Sequence, residues 1–365
     1  MAIANVLDLR ELSKSKISKM EYDYINGGSL NELTFKRNEN AFEKILLKQY
    51  VMRDVANVTT EIEILGLKKK HPIFLAPVSL HKLSNERGEI ATAEAAEKSE
   101  TTMILSTLSS VSLERVAKAS SSPKWFQLYW FKNKELTKNL VSRAEDSGYQ
   151  VICLTVDAPV LGKREKDIHN SFNLPLGVEL QNFAGLEQGV LPGIGKGEGS
   201  GLSQYVTEQF NASLTWRDLD WLQSITNLPI FLKGIQTSED AKKCLEYQVQ
   251  GLIVSNHGGR QLDNSLASIE CLPRVAETIA KELTILLDSG VRRGSDVFKA
   301  MCLGADGVLI GRPYIWGLGA MGVDGVVKAV EIIVDELKEV LALVGCKSLK
   351  EVSIEFLEEK TVPTF

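Results

Sequence analysis

The chain has 365 residues, 44% of them hydrophobic, 24% charged and 7% aromatic, which excludes a disordered or collagen-like polymer and allows a large buried core. Lys and Arg number 42 against 47 Asp and Glu, a net charge of -5, and with no long basic run there is no electrostatic reason to expect nucleic acid as a partner. No apolar stretch is long enough to span a membrane, residues 1–20 lack the apolar core of a signal peptide, and the five cysteines show no C-x-x-C spacing; the expectation is a soluble, reduced, cytoplasmic protein with structural cysteines and no metal.

In chain order, residues 1–70 read as an N-terminal extension. It holds a helix through 20–26 stopped by Gly27-Gly28, a second helix around 39–47, an extended 61–65 and a turn at Lys68-Lys69-Lys70. Eight short apolar runs follow, at 72–77, 101–106, 124–130, 150–157, 228–234, 251–256, 283–290 and 307–312. Runs of this length and β-branched content predict strands buried on both faces of a parallel sheet. Amphipathic stretches lie between most of them, as at 88–100, 113–119, 134–147, 238–247, 268–281 and 296–303, and a longer one runs over 325–344. Eight strand–helix alternations predict an α/β fold of the (β/α)8 barrel type over 71–350, with residues 1–365 forming one domain. The one long gap, after the fourth strand, contains the Gly-rich 189–201, so 170–212 reads as a mobile loop over the top of the barrel.

The C-terminal ends of barrel strands face the active site. Those ends carry Ser79, Ser106, Gln127, Tyr129, Thr155, Asp157, Lys233, Ser255, His257, Arg260, Asp288, Arg292 and Arg312, polar groups that need partners if buried. His257, in Ser-Asn-His-Gly-Gly-Arg, reads either as an ordinary loop histidine or as a base; in the second case Asp157 is expected to hydrogen-bond the imidazole and raise its pKa. Arg260 and Arg164 suit bidentate pairing with a carboxylate, against the plainer reading as surface residues. Lys233 would balance negative charge on a reduced flavin, form a Schiff base with a carbonyl, or snorkel outward. Asp288-Ser-Gly-Val-Arg-Arg-Gly and Gly311-Arg312-Pro313 read as a phosphate cradle, with a helix N-terminus near Asp296; the phosphate would belong to substrate or cofactor.

SNHGGRQLD at 255–263 closely resembles the active-site signature of the FMN-dependent 2-hydroxy-acid oxidases and dehydrogenases, and the resemblance extends through MEYDYINGG, WFQLYW, LTVDAPVLGKRE, LPIFLKG, LLDSGVRRGSDVFKA and LIGRP. It implies that His257 takes the substrate's proton with Asp157 in support. Tyr24, Arg164 and Arg260 would hold the substrate carboxylate and Tyr129 the 2-hydroxyl. Lys233 would sit near flavin N1. Pro77, Val78, Ser79, Ser106, Gln127, Thr155 and Ser255 would surround the ring, and Asp288, Ser289, Gly290, Arg292, Gly311 and Arg312 the ribityl phosphate. The implied reaction oxidises a 2-hydroxy acid to a 2-oxo acid. The acid would be L-lactate or a similar short-chain one, with an aryl acid as the alternative suggested by 107–114 and Trp130. O2 or another acceptor would reoxidise FMN, and the implied assembly is a homotetramer. Four positions depart from the usual pattern. Ser79 replaces Ala or Gly near flavin N5, where a hydroxyl is expected to alter oxygen reactivity; Leu108 replaces a Trp of the plant enzymes, Ser289 a Gly, and His81 a common Gln.

Overall fold

All eight apolar runs form strands, and the strands close on themselves in the computed structural model, which describes residues 2–184 and 208–363. A small antiparallel hairpin, β1 (Ile62–Ile64) and β2 (Leu67–Lys69), comes first. The barrel strands are β3 (Ile73–Leu75), β4 (Thr102–Ser106), β5 (Lys124–Leu128), β6 (Ile152–Thr155), β7 (Ile230–Ile235), β8 (Gly251–Val254), β9 (Thr284–Leu287) and β10 (Gly307–Ile310). All pairings among them are parallel, and β10 closes the ring by pairing with β3 and β9. The helices are α1 (Val6–Lys14), α2 (Lys19–Asn26) and α3 (Leu33–Lys44) before the barrel. Then come α4 (Glu89–Lys98), α5 (Leu113–Lys118), α6 (Lys134–Asp146), α7 (Glu165–His169), α8 (Asp218–Ser224), α9 (Ser238–Glu246), α10 (Ser268–Ile279), α11 (Gly294–Cys302), α12 (Arg312–Met321) and α13 (Val323–Leu343).

The alternation of strand side chains decides what fills the barrel. Phe74, Ile104, Trp125, Cys153, Phe231, Ile253, Leu286 and Leu309 point inward and form a dry plug, tightened by Trp125 against Phe74 and Phe231 at ring separations of 5.4 and 4.8 Å. Two residues further along each strand the same inward direction returns. There stand Ala76, Ser106, Gln127, Thr155, Lys233, Ser255, Asp288 and Gly311, a mostly polar layer above an apolar one. The outward residues, among them Leu75, Leu105, Leu154 and Leu232, pack under the helices in the larger core.

Several elements differ from expectation. Lys68 and Lys69 lie in β2, and the chain turns before them at Leu65-Gly66, both at positive φ (52° and 74°). The second helix starts at Leu33 rather than near 39. Glu32 at its N-cap offers no side-chain cap; Asp263, from the loop after β8, accepts from Thr34 N at 2.8 Å instead, a partner no local pattern reveals. α1, opened by an Asn5–Asp8 capping box, and α12 were not anticipated. Within 170–212, residues 185–207 lie outside the described residues, and the described flanks are packed against the barrel. Phe172 is fully buried and stacks on Tyr24 (4.4 Å, 9°), and Asn182, also buried, bonds the carbonyl of Thr107 and the amide of Leu113.

The N-terminal extension is tied to the barrel mouth by a reciprocal amide pair. Asn38 Nδ2 donates to Asn256 Oδ1 (2.9 Å) and Asn256 Nδ2 to Asn38 Oδ1 (2.7 Å), both residues buried. Asn38→Ala takes one partner from each half of the Asn256 amide, leaving Nδ2 with the Leu266 carbonyl and Oδ1 with Gly259 N, and should destabilise the protein by about 1 kcal/mol, read as a lower midpoint in urea at unchanged m-value; an unchanged midpoint would show the pair to be dispensable.

Candidate active site

β6 and β8 deliver an acid and a base to the same place. Past β8, Ser255 Oγ accepts from His257 N (3.0 Å), and His257 itself is held at φ 59°, an uncommon conformation that surrounding structure must enforce. Past β6, Asp157 lies against a bulge in β7: Gly234 is at φ 115°, and a Cβ there would come within 2.5 Å of Asp157 Cβ. Only glycine lets the two strand ends approach this closely. The result is a 2.9 Å contact between His257 Nδ1 and Asp157 Oδ1. A carboxylate only accepts, so Nδ1 carries the hydrogen and Nε2 presents its lone pair. Contrary to expectation the imidazole pKa is lowered, not raised. Burial pushes it down, and Lys233 and Arg164 add to that, together outweighing Asp157.

A cavity of about 1100 Å³, its open mouth included, brings together most of the anticipated residues: Tyr24, Pro77, Val78, Ser79, Ser106, Tyr129, Arg164, Lys233, His257, Arg260, Asp288, Ser289, Gly290, Arg292, Gly311 and Arg312. Asp157, Gln127, Thr155 and Ser255 stand behind this surface as supports. Gln127 accepts from Thr107 N (3.1 Å) and donates to Thr155 Oγ1 (2.9 Å), while Ser255 orients His257 and Lys233. Residues that the sequence reading did not single out complete the walls: Ile25, Ala158, Leu161, Phe210 and Gln261. None carries a local signal; Phe210 arrives through a bridge with Phe131 and stacks on Tyr129 at 4.5 Å. Trp130 points elsewhere, against Trp221.

On one side, Arg164 is buried and its Nε has no protein partner. Arg260 donates to the carbonyls of Tyr24 (2.7 Å) and Gly27 (2.8 Å) and lies over the Tyr24 ring. Burial and the neighbouring Arg164 pull its pKa down to about 10, the mark of buried positive charge awaiting an anion. The Tyr24 hydroxyl meets Ser79 Oγ at 2.7 Å, so the Ser79 hydroxyl is engaged here. Tyr129, half-buried on the cavity wall, is pushed up to about 12 by burial and by Asp157, and stays a neutral phenol.

In the middle, Lys233 Nζ contacts Asp288 Oδ2 (2.9 Å) and donates to Ser255 Oγ (2.9 Å). Burial alone would lower its pKa, but Asp288 and Asp157 win and hold it raised. A Schiff-base lysine needs the opposite shift, so that reading is set aside. Ser289, at φ 75°, donates to Asp288 Oδ1 (2.6 Å) and accepts from Gly258 N (2.9 Å).

The cradle is built from the residues that follow β9 and β10. The helix after Arg293 is not its anion site, because Asp296 already accepts from Arg292 N and Arg293 N and Glu336 from Gly294 N. α12 is the better candidate: it opens at Gly311 into the cavity with no side-chain cap. Gly290 at φ 105° presses on α3, where a Cβ would lie 2.2 Å from Asn38 O. Arg312 donates to the carbonyls of Ile25, Gly27 and Gly258, and the buried Arg292 Nε has no partner. An uncapped helix start, two arginines and an idle N–H fit a phosphate.

The lowered pKa of His257 keeps its base form available below pH 6.5, so activity should be lost only as pH falls through that lower value. Asp157→Asn removes the groups that raise it. The acid limb of kcat/KM should then move to still lower pH while kcat falls on the order of 10²-fold; an unmoved or upward-shifted limb would contradict the electrostatics.

Residues 13–359 match the family described as FMN-dependent dehydrogenase. The chain is 44% identical over 353 residues to glycolate oxidase 3 of Arabidopsis thaliana, covering 97% of this chain and 95% of that protein. It is 43% identical over 357 residues to L-lactate oxidase of Nostoc sp., covering 97% of each. Among solved structures, mandelate oxidase with (S)-4-hydroxymandelic acid matches at a TM-score of 0.92 and 35% identity, over 97% of this chain and 98% of that one. A match that runs through every strand of the barrel makes this chain a member of the FMN-dependent dehydrogenase family, with FMN as its cofactor.

Proposed function

We propose that the protein oxidises an (S)-2-hydroxy acid with a short side chain, such as L-lactate, to the 2-oxo acid, with O2 as the acceptor and hydrogen peroxide as the second product. The observation that carries this reading is the single cavity in which His257, backed by Asp157, faces Arg164, Arg260 and Tyr24. When bound, FMN would supply the two-electron redox chemistry between substrate and acceptor. Gly290, Arg292, Gly311 and Arg312 would hold its phosphate, and Ser106 and Lys233, backed by Gln127 and Thr155, would lie along its ring. Lys233, kept charged by Asp288, supplies fixed positive charge there.

The chain's own groups divide the remaining work. Arg164 and Arg260 pair with the substrate carboxylate, with the Tyr24 hydroxyl at its edge. His257 Nε2 takes a proton, and Asp157 stabilises the imidazolium so formed. The Tyr129 phenol hydrogen-bonds the 2-hydroxyl. Leu108, nearly buried, and Phe210 bound the side-chain end of the cavity. A second reading, an aryl acid, draws support from the close structural match to mandelate oxidase and from that same apolar wall; Trp130 lends it none, since it faces Trp221. A homotetramer belongs to the same reading and is supported by the family resemblance; the cytoplasmic location is proposed without that support, since two of the similar plant proteins are named peroxisomal.

Anaerobic addition of glycolate, L-lactate and S-mandelate to the purified holoenzyme tests this directly. L-lactate should bleach the flavin absorbance fastest, and air should restore it within the turnover time. Fastest bleaching by S-mandelate would select the aryl reading, slow return of colour in air would select another acceptor, and no bleaching by any acid would overturn the proposal. His257→Gln should retain FMN yet lose about 10²–10⁴-fold in bleaching rate; normal bleaching would remove His257 from its role.

A further inference from the structure

Glu39, one residue past the Asn38 that anchors α3 on the barrel mouth, reaches the cradle. Its Oε1 accepts from Arg292 NH2 at 2.9 Å, with Arg292 11% exposed and Glu39 33%. Arg292 has little other compensation. Its NH1 donates to Val291 O, its Nε has no partner, and its guanidinium lies 5.1 Å from the Trp316 ring, whose other cationic neighbour is Arg10 at 5.8 Å. Asp296 is the other acid at hand, but its carboxylate oxygen Oδ2 is taken by two backbone N–H groups. Arg312 completes the crowd of cations, with carbonyls as its partners. Glu39 is thus the carboxylate in ion-pair contact with the cradle among the described residues.

We propose that Glu39 is the counter-ion of Arg292 while FMN is absent and competes with the FMN phosphate for it, so that it supports the empty fold and loosens the cofactor. This inference rests on the phosphate cradle proposed above. The phosphate brings its own negative charge to Arg292, so the ion pair matters more before binding than after. Like charges gathered on one guanidinium repel. Removing the Glu39 charge therefore weakens the empty protein more than the loaded one, and by linkage the cofactor binds more tightly. The side chain is one-third exposed, so an isosteric change leaves the packing of α3 intact.

The test is Glu39→Gln in the full-length protein, alongside Arg292→Met. FMN release on dilution of the holoenzyme is read as recovered flavin fluorescence, and riboflavin, which lacks the phosphate, is titrated into stripped protein as the control. Glu39→Gln should lower the FMN Kd about tenfold and leave the riboflavin Kd unchanged. Its stripped form should melt earlier than wild type while its holoenzyme does not, and inorganic phosphate should raise the melting temperature of stripped Glu39→Gln more than that of stripped wild type. If Arg292→Met weakens FMN selectively but Glu39→Gln leaves the FMN-to-riboflavin ratio unchanged or shifts it the other way, the cradle stands and the role of Glu39 falls. If neither variant moves the ratio, the cradle itself is misplaced and the proposal falls with it.

Discussion

The mouth of the barrel is organised by buried positive charge whose partners are mostly peptide carbonyls. Arg260 and Arg312 both donate to the last turn of α2, to the carbonyls of Tyr24, Ile25 and Gly27. The carbonyl end of a helix carries partial negative charge and unmade hydrogen bonds, so two guanidinium groups there satisfy it and are partly compensated in return. Partial compensation is the functional point. A full ion pair would neutralise these arginines, whereas a helix terminus holds them in place and leaves charge over for an anion. Arg164, with an idle Nε, is in a similar condition. Arg260 and Arg312 are close enough to share the Gly27 carbonyl, whereas Lys233 has Asp288 as an ion-pair partner. The cavity therefore pairs a run of incompletely neutralised arginines with a compensated lysine, a lining suited to anionic ligands.

That arrangement explains why the N-terminal extension is part of the site rather than an appendage. α2 supplies the carbonyls and Tyr24, and α3 supplies Asn38, Glu39 and the backbone against which Gly290 turns. A barrel lacking these helices would lose the carbonyls of Tyr24, Ile25 and Gly27 that position Arg260 and Arg312, leaving Arg312 only the Gly258 carbonyl. The extension and the strand ends stabilise each other, and neither half of the mouth makes electrostatic sense alone.

Much of this was legible in the sequence because strand geometry is strict. Each of the eight runs carries an apolar residue and, two places later, the residue that enters the polar layer, as in Trp125 and Gln127, Cys153 and Thr155, or Phe231 and Lys233. A period of two turns that spacing into plug and site without further information. What stayed hidden depends on contacts between distant parts of the chain. Glu39 looks like any exposed helix acid until α3 is docked. The start of α3 at Leu33 is set by Asp263, some 230 residues away in sequence, and Phe210 reaches the cavity by pairing with Phe131. The direction of the His257 shift was misread for the same reason. Asp157 was visible as a partner, but the burial and the opposing Lys233 and Arg164 become countable only in three dimensions.

The opposing cations give that shift a chemical sense. In the free protein Arg164 and Lys233 help to keep the imidazole neutral, which is the form a base needs before it acts. On the proposed reading, a substrate carboxylate placed against Arg164 would cancel one of the charges that, after burial and Lys233, hold the imidazole pKa down. Proton affinity at His257 would then rise with substrate in place and fall again once the product left. Asp157 would contribute at every stage, whereas the contribution of Arg164 would be switched by the ligand. Recognition of the carboxylate and strength of the base would in this way be one electrostatic system, built from Lys233 on β7 and from residues that follow β6 and β8.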